Sequence, residues 1–155
     1  MDYVYLVFTK NNKLGSRAIR AVTWSEWSHV EILTDQGTVI GANIPVGVVE
    51  VPLEERLSHC TEYTMARVPI APLQRVILFD WLRGQIGRPY DYAGLVSFFA
   101  KRDFNDDSSW FCSELVAAAF EHAASPLFRP GSIYRVTPQD IFMLPNELVE
   151  RGKDL

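Results

Sequence analysis

Cysteine is scarce in this chain of 155 residues, which contains only Cys60 and Cys112. Two cysteines cannot supply a disulfide scaffold, and they stand too far apart for the CxxC spacing that is typical of a zinc site. Histidine is nearly as rare, with His29, His59 and His122. Chemistry that depends on a thiol and an imidazole therefore has few candidates, and each can be considered in turn.

The chain also lacks an excess of positive charge and a long apolar run. A formal net charge of −4 argues against a nucleic-acid-binding protein, which would normally carry a basic patch. No run approaches the roughly 20 apolar residues that cross a bilayer, so we expect no stable membrane insertion. The first residues, MDYVYLVFTK, begin with an acid and soon turn polar, which predicts a strand rather than a signal peptide. We expect a cytoplasmic protein, unless the chain was cut from a longer precursor.

The remaining composition is that of one globular domain. Hydrophobic residues make up 48% and charged residues 22% of the chain, and no repeat or linker interrupts residues 1–155.

Strands and helices are segregated along the chain, which predicts an α+β fold. We expect a helix over 72–86, a second helical piece after GRPYD, and a helix from Cys112 to about Ser125. In the tail, 134–148, we expect a strand and one short helix. The predicted strands are YVYLVF (3–8), SHVEIL (28–33), VIGANI (39–44), the GVVEVP segment (47–52) and YTMARVPI (63–70).

Cys112 stands where a polar loop becomes an alanine-rich helix, in SSWFCSELVAAAF (108–120). A helix N-terminus carries partial positive charge and free N–H groups, which stabilise an anion. The thiolate is the nucleophilic form of cysteine, so this position favours a reactive thiol. A free cysteine is also often a small core residue, and a catalytic role requires a base as well.

His29 is the candidate base. His122 lies ten residues along the same helix as Cys112, or about 15 Å away by helix rise, and points elsewhere. His59 lies beside Cys60 in a predicted loop, where a surface role is expected. His29 begins the strand SHVEIL, directly after the aromatic segment TWSEWS.

The register of the predicted hairpin places a polar group opposite His29. If Asp35-Gln36-Gly37 forms the turn, Thr34 faces Thr38, and counting back sets His29 opposite Asn43.

Glu31 shares the face of His29, because side chains on one face of a strand recur every two residues. Gly41 then lies opposite Glu31 and leaves room for its side chain. Both Glu31 and Asn43 are therefore placed to orient the imidazole, and a base held by a third polar group is the general arrangement of a catalytic triad. The sequence leaves the choice between these two residues open.

Three motifs resemble those of a known family. WSHVE (27–31), GRPYD (87–91) and FCSEL (111–115) are together similar to motifs of the circularly permuted papain-like proteins of the NlpC-type superfamily, the YiiX/YaeF-like group. The likeness spans about residues 3–145 and is greatest to small members found in phages and bacteria, so the resemblance implies a bacterial or phage origin. In this group the histidine strand comes first and the cysteine helix last. The resemblance implies a permuted papain-like fold, in which the cysteine-bearing helix packs against an antiparallel sheet that bears the histidine.

The resemblance also implies roles for individual residues. Cys112 would be the nucleophile and His29 the general base. Tyr90 would line the active site near the oxyanion position. Ser113 continues the cysteine motif, and a backbone N–H at the helix start would help to hold the oxyanion.

The chain departs from the pattern of the group in the return strand. Relatives often carry a glutamate there, where this chain has Gly41. We therefore expect the third catalytic residue to be Glu31, with Asn43 as the alternative.

These observations predict a cysteine hydrolase, a peptidase or amidase, or an acyl transferase that forms a thioester acyl-enzyme. The substrate would be a peptide, an amide or an acyl group, and no cofactor or metal is expected. The competing hypothesis is a binding module that keeps the fold but has weakened or lost chemistry. A thiol enzyme that acts on lipids at membranes ranks lower, since no amphipathic basic helix is evident. The oligomeric state cannot be read from the sequence.

Overall fold

The computed structural model describes residues 2–91, 111–129, 131–133 and 136–153. The strands are β1 (Asp2–Lys10), β2 (His29–Leu33), β3 (Thr38–Asn43), β4 (Gly47–Pro52), β5 (Glu62–Ile70) and β6 (Glu147–Lys153). The helices are α1 (Leu14–Thr23), α2 (Leu53–Ser58), α3 (Pro72–Gly84), α4 (Cys112–His122) and α5 (Pro138–Phe142).

The six strands form one antiparallel sheet in the order β4-β3-β2-β1-β5-β6. Strand side chains alternate between the two faces. Leu6 and Phe8 of β1 join the large core with α3 and α4. Val7, between them, joins a smaller cluster on the opposite face, where Leu57 of α2 packs. The mixed architecture is the α+β fold that the sequence predicts.

Helix α4 is embedded in the large core. It packs against α3, β2 and β3, and every residue from Cys112 to Phe120 is buried. The run of small alanines, 117–119, allows close contact with neighbours on several sides. This packing fixes the helix start, and with it Cys112, relative to the strand that begins at His29.

The segment leading to Tyr90 is attached to the start of β4. The backbone N–H of Val48 donates to the carbonyl oxygen of Arg88 at 2.8 Å, and the N–H of Gly87 donates to the carbonyl oxygen of Val48 at 2.9 Å. Gly47 permits this close approach. A Cβ at position 47 would overlap the carbonyl oxygen of Arg88, and the backbone there has φ +85°, in the left-handed region.

Several predicted boundaries differ from the structure. Helix α3 ends at Gly84 and α4 at His122, each shorter than expected. Strand β5 spans Glu62–Ile70 and so begins one residue before the predicted segment. Pro69 is tolerated near its end because β6 pairs only with Glu62–Arg67 and leaves that side of Pro69 without a strand partner. The tail contains the short helix α5, but its strand, β6, begins only at Glu147. The helical piece predicted after GRPYD lies outside the described residues.

Helix α1 corrects one expectation. It is amphipathic and carries Arg17 and Arg20 on its polar side, whereas no amphipathic basic helix was expected. Leu14 at its start is 82% exposed, and Trp24 just past its end is 91% exposed. Among the described residues, no helix has both the length and the apolar character needed to span a bilayer.

The fit of Gly47 against Arg88 predicts a large effect of a single methyl group. We expect Gly47→Ala to lower the free energy of unfolding by about 2 kcal/mol or more, because the left-handed backbone and the overlap with a backbone oxygen both oppose the new Cβ. Urea denaturation measures the change. Gly84→Ala is the matched control, since nothing lies within 4 Å of a Cβ there, and alanine in a helix should be neutral or stabilising. Equal effects of the two substitutions would contradict the account.

Candidate active site

The register of the hairpin β2–β3 is the one obtained by counting from the turn. Ile32 pairs with Ile40 and Leu33 with Val39. The same register sets His29 opposite Asn43 and Glu31 opposite Gly41, so the predicted alignment of these strands is confirmed.

Glu31 is the most heavily contacted polar side chain of the site. It is fully buried, at 0% exposure. Its Oε1 accepts a hydrogen bond from Nδ2 of Asn43 at 3.0 Å and another from a terminal guanidinium nitrogen of Arg56 at 3.1 Å. Nε of Arg56 lies 2.7 Å from Oε2, and Nε2 of His29 lies 3.2 Å from Oε1. One carboxylate thus joins the imidazole, an amide and a guanidinium.

Gly41 provides the space that Glu31 occupies. A Cβ at position 41 would overlap Cγ of Glu31 and lie 2.8 Å from its Oε1. The expectation that this glycine leaves room for the glutamate is therefore confirmed.

Arg56 is the residue of this group that sequence reasoning missed. It lies on the short helix α2, 25 residues after Glu31, in the segment LEERLS. The only signal is that a single basic residue follows two acidic ones, a pattern that is also typical of any solvated helix. Its contact with Glu31 depends on the way α2 packs across the sheet face that carries Glu31.

His29 lies between Glu31 and Cys112. It is the first residue of β2, at an end of the sheet, and its side chain is 17% exposed. On one side it contacts Glu31, and on the other it lies near Cys112 at the start of α4, whose thiol contributes to the raised pKa of His29. The structure therefore brings together the thiol, the imidazole and the carboxylate that the sequence singled out, with Asn43 bound to the carboxylate.

The electrostatics of the pair favour a charged imidazole. Burial alone would lower the pKa of His29, but the negative charge of Glu31, together with the polar interactions of the imidazole with Cys112 and Glu31, raises that pKa to about 10. Burial would likewise raise the pKa of Glu31. The positive charges of His29 and Arg56 and the hydrogen bonds from His29 and Asn43 lower it to about 2.

The two cysteines occupy different environments. Cys112 is 1% exposed and is part of the large core. Cys60 is 6% exposed, and its thiol donates to the carbonyl oxygen of Leu57 at 3.2 Å. Both thiols are free. Because Cys112 is almost completely buried, His29 is the more accessible residue of the Cys112–His29 pair.

Tyr90 and Ser113 differ in their relation to the site. Tyr90 is buried, packs edge-on against Phe111 with ring centroids 6.0 Å apart, and lines a cavity that His29 also lines. The hydroxyl of Ser113 instead donates to the carbonyl oxygen of Val136, which ties α4 to the segment before α5. Of Ser113, only the backbone N–H remains a candidate for binding substrate.

The other two histidines are not the partners of Cys112. His122, at the end of α4, is exposed and stacks on Trp81 with ring centroids 5.4 Å apart. His59 is exposed, as expected, but it borders a polar cavity of about 370 Å³ that His29 lines as well.

A scan of known protein families matches residues 5–140 to a family described as "Permuted papain-like amidase enzyme, YaeF/YiiX, C92 family". No curated protein matches the chain. Among solved structures, the chain is similar to the crystal structure of "metalloprotein yiiX from Escherichia coli O157:H7, DUF1105". The TM-score is 0.74, the sequence identity 19%, and the match covers 97% of each chain. This likeness is one of fold.

That relative is named a metalloprotein. In the ranges of this chain that the structure describes, no group of three or more His, Cys, Asp or Glu side chains is placed to hold a metal ion. Cys112, His29 and Glu31 instead bring together a thiol, an imidazole and a carboxylate.

The shifted pKa values of His29 and Glu31 predict how stability depends on pH. The stabilisation from protonated His29 is complete below pH 6.5 and is lost as the pH rises through about 10. The stabilisation from ionised Glu31 is complete above pH 4.5 and is lost as the pH falls through about 2. We expect Glu31→Gln to remove the alkaline loss above pH 6.5, as measured by urea denaturation at a series of pH values. Glu55→Gln, on the exposed side of α2, is the control. An alkaline slope that persists in Glu31→Gln would contradict the assignment.

The close approach of Gly41 to Glu31 predicts strong coupling between the two positions. We expect Gly41→Ala to destabilise the protein by roughly 2–4 kcal/mol, because the new methyl group displaces a buried, hydrogen-bonded carboxylate. In a Glu31→Ala background the clash is absent, so the same substitution should cost less than about 1 kcal/mol. A double-mutant cycle by denaturation measures the difference. Additive effects would show that the two side chains do not share this space.

Proposed function

Because the chain belongs to the permuted papain-like amidase family, YaeF/YiiX, C92 family, we propose that it is a cysteine hydrolase that cleaves amide bonds through a thioester acyl-enzyme. Cys112 is the nucleophile, His29 transfers the proton, and Glu31 orients the imidazole. Asn43 and Arg56 act as positioning residues through Glu31. The observation that carries this assignment is the contact of His29 with both Cys112 and Glu31.

The charge of His29 supports a resting state in which the imidazole already holds the proton. With a pKa of about 10, it is an imidazolium at neutral pH, and it lies against the sulfur of Cys112. An adjacent cation favours the thiolate, which is the attacking form of cysteine. Glu31 and the groups that hold it maintain this charge in a largely buried position.

Acylation then follows from the positions of these groups. The thiolate attacks the carbonyl carbon of the amide, and a carbon–sulfur bond forms. When the carbon–nitrogen bond breaks, His29 donates its proton to the leaving amine and becomes neutral. The product is a thioester on Cys112.

Deacylation uses the same imidazole in the opposite direction. Neutral His29 accepts a proton from water as the water attacks the thioester, and the acid is released with the thiolate restored. An amine or hydroxyl in place of water would make the protein an acyl transferase. The backbone N–H groups at the start of α4, with Tyr90 nearby, are the candidates that stabilise the oxyanion of each tetrahedral intermediate.

The competing hypothesis, a binding module without catalytic activity, does not explain why Glu31 is a buried carboxylate. A chain that had lost its chemistry would have no need of a buried glutamate, since a buried charge is costly unless it is paired. Glu31 is buried at 0% exposure with three partners, Asn43, Arg56 and His29. The site is therefore better explained by catalysis.

Labelling with acyl electrophiles tests the proposed nucleophile. The full chain is incubated with a panel of activated amides and esters, and peptide mass spectrometry identifies the modified residue and the rate of modification. We expect acylation of Cys112, slowed by about 100-fold or more in His29→Ala, since a positioned proton-transfer group typically contributes that much. Acylation at Cys60 should be far slower.

Two control variants sharpen the result. His122→Ala removes an exposed imidazole from the far end of α4 and should leave the rate at Cys112 unchanged. Cys112→Ala should abolish the fast adduct. The proposal fails if Cys112 is acylated no faster than Cys60 in the folded protein.

A further inference from the structure

The cleft beside His29 has two adjoining cavities of different character. One, of about 370 Å³, is lined mainly by polar side chains. The other, of about 290 Å³, includes apolar residues, among them Ile19, Ala42 and Tyr90. His29 lines both, so a substrate that reaches the imidazole can extend into either cavity.

The first cavity, called here the cationic cavity, is lined by Lys13, Arg56 and His59. No aspartate or glutamate is among the described residues that line it. The chain as a whole carries a net charge of −4, so this lining is not the consequence of a generally basic protein. Clefts lined by one sign of charge concentrate ligands of the opposite sign.

Of the charged side chains that line this cavity, Lys13 is the one available to bind a ligand. Arg56 is engaged by Glu31, with its Nε 2.7 Å from one carboxylate oxygen and a terminal nitrogen 3.1 Å from the other. Lys13 is exposed and forms no ion pair with an acidic side chain within the described ranges. It precedes α1, where it lines both cavities. A single uncompensated ammonium matches a group with a single negative charge.

We infer that the cationic cavity binds a carboxylate of the substrate, carried on the part of the molecule next to the amide bond that is cleaved. The inference rests on the proposed function and adds a substrate class to it, namely amides of acidic compounds. Lys13 attracts the carboxylate directly, while His59 and the neutral polar side chains of the cavity supply hydrogen-bonding groups.

A matched pair of reagents tests the charge preference without a known substrate. Iodoacetate carries a carboxylate where iodoacetamide carries an amide, and the thiolate displaces iodide from either reagent. The rates at Cys112 are measured at one pH in a Cys60→Ala background, where Cys112 is the only thiol. The ratio of the iodoacetate rate to the iodoacetamide rate reports the attraction for the carboxylate.

We expect Lys13→Gln to lower this ratio by roughly two- to fivefold, the range for a charge pair close to solvent, and Lys13→Arg to retain it. Added salt should lower the ratio in the parent protein. Arg17→Gln is the matched control, since it makes the same change in net charge at an exposed position of α1 that lines neither cavity.

The outcomes separate this inference from the proposed function. If both reagents label Cys112 and the ratio is unaffected by Lys13→Gln, or falls equally in Arg17→Gln, the carboxylate site is overturned while the reactive thiol stands. If neither reagent labels Cys112, the proposed function is overturned and this inference falls with it.

Discussion

The site depends on one buried carboxylate. A fully buried glutamate is costly unless it is paired, and Glu31 is held by Arg56 and Asn43 on one side and by His29 on the other. The arrangement keeps a negative charge beside the imidazole without exposing either group to much solvent. The positive charge of His29 follows from that pairing.

The fold brings the parts of the site together from distant points in the sequence. His29 stands at the first residue of a central strand, and Cys112 at the first residue of a helix that is buried in the core on one side of the sheet. Arg56 comes from α2, which packs on the opposite side of the sheet. His29 meets groups from both sides because it lies at the end of the strand. The rigidity of the site therefore derives from the same packing that stabilises the domain.

Local patterns in the sequence predicted those features that are set by local rules. The turn at 35–37 fixes the register of β2 and β3, so the alignment of Glu31 with Gly41 followed by counting. Arg56 was missed because its contact with Glu31 depends on how α2 packs across the sheet. The spacing of residues within α2 does not indicate that packing. Strand β6 was placed too early because it is an edge strand whose residues, largely exposed, show no alternation of buried and exposed side chains. The motif placed Ser113 at the oxyanion position without specifying an atom, and its hydroxyl donates to the carbonyl oxygen of Val136, a contact that no local pattern indicates.

The charge of the imidazole at position 29 is the most direct test of this account. Nuclear magnetic resonance of protein labelled at its histidine rings can follow the protonation of His29 as the pH is raised. If Glu31 governs the site, His29 keeps its proton through neutral pH and loses it near pH 10. A midpoint at or below the ordinary value of 6.5 would contradict the account, because it would mean that the buried carboxylate does not hold the imidazole in its charged form.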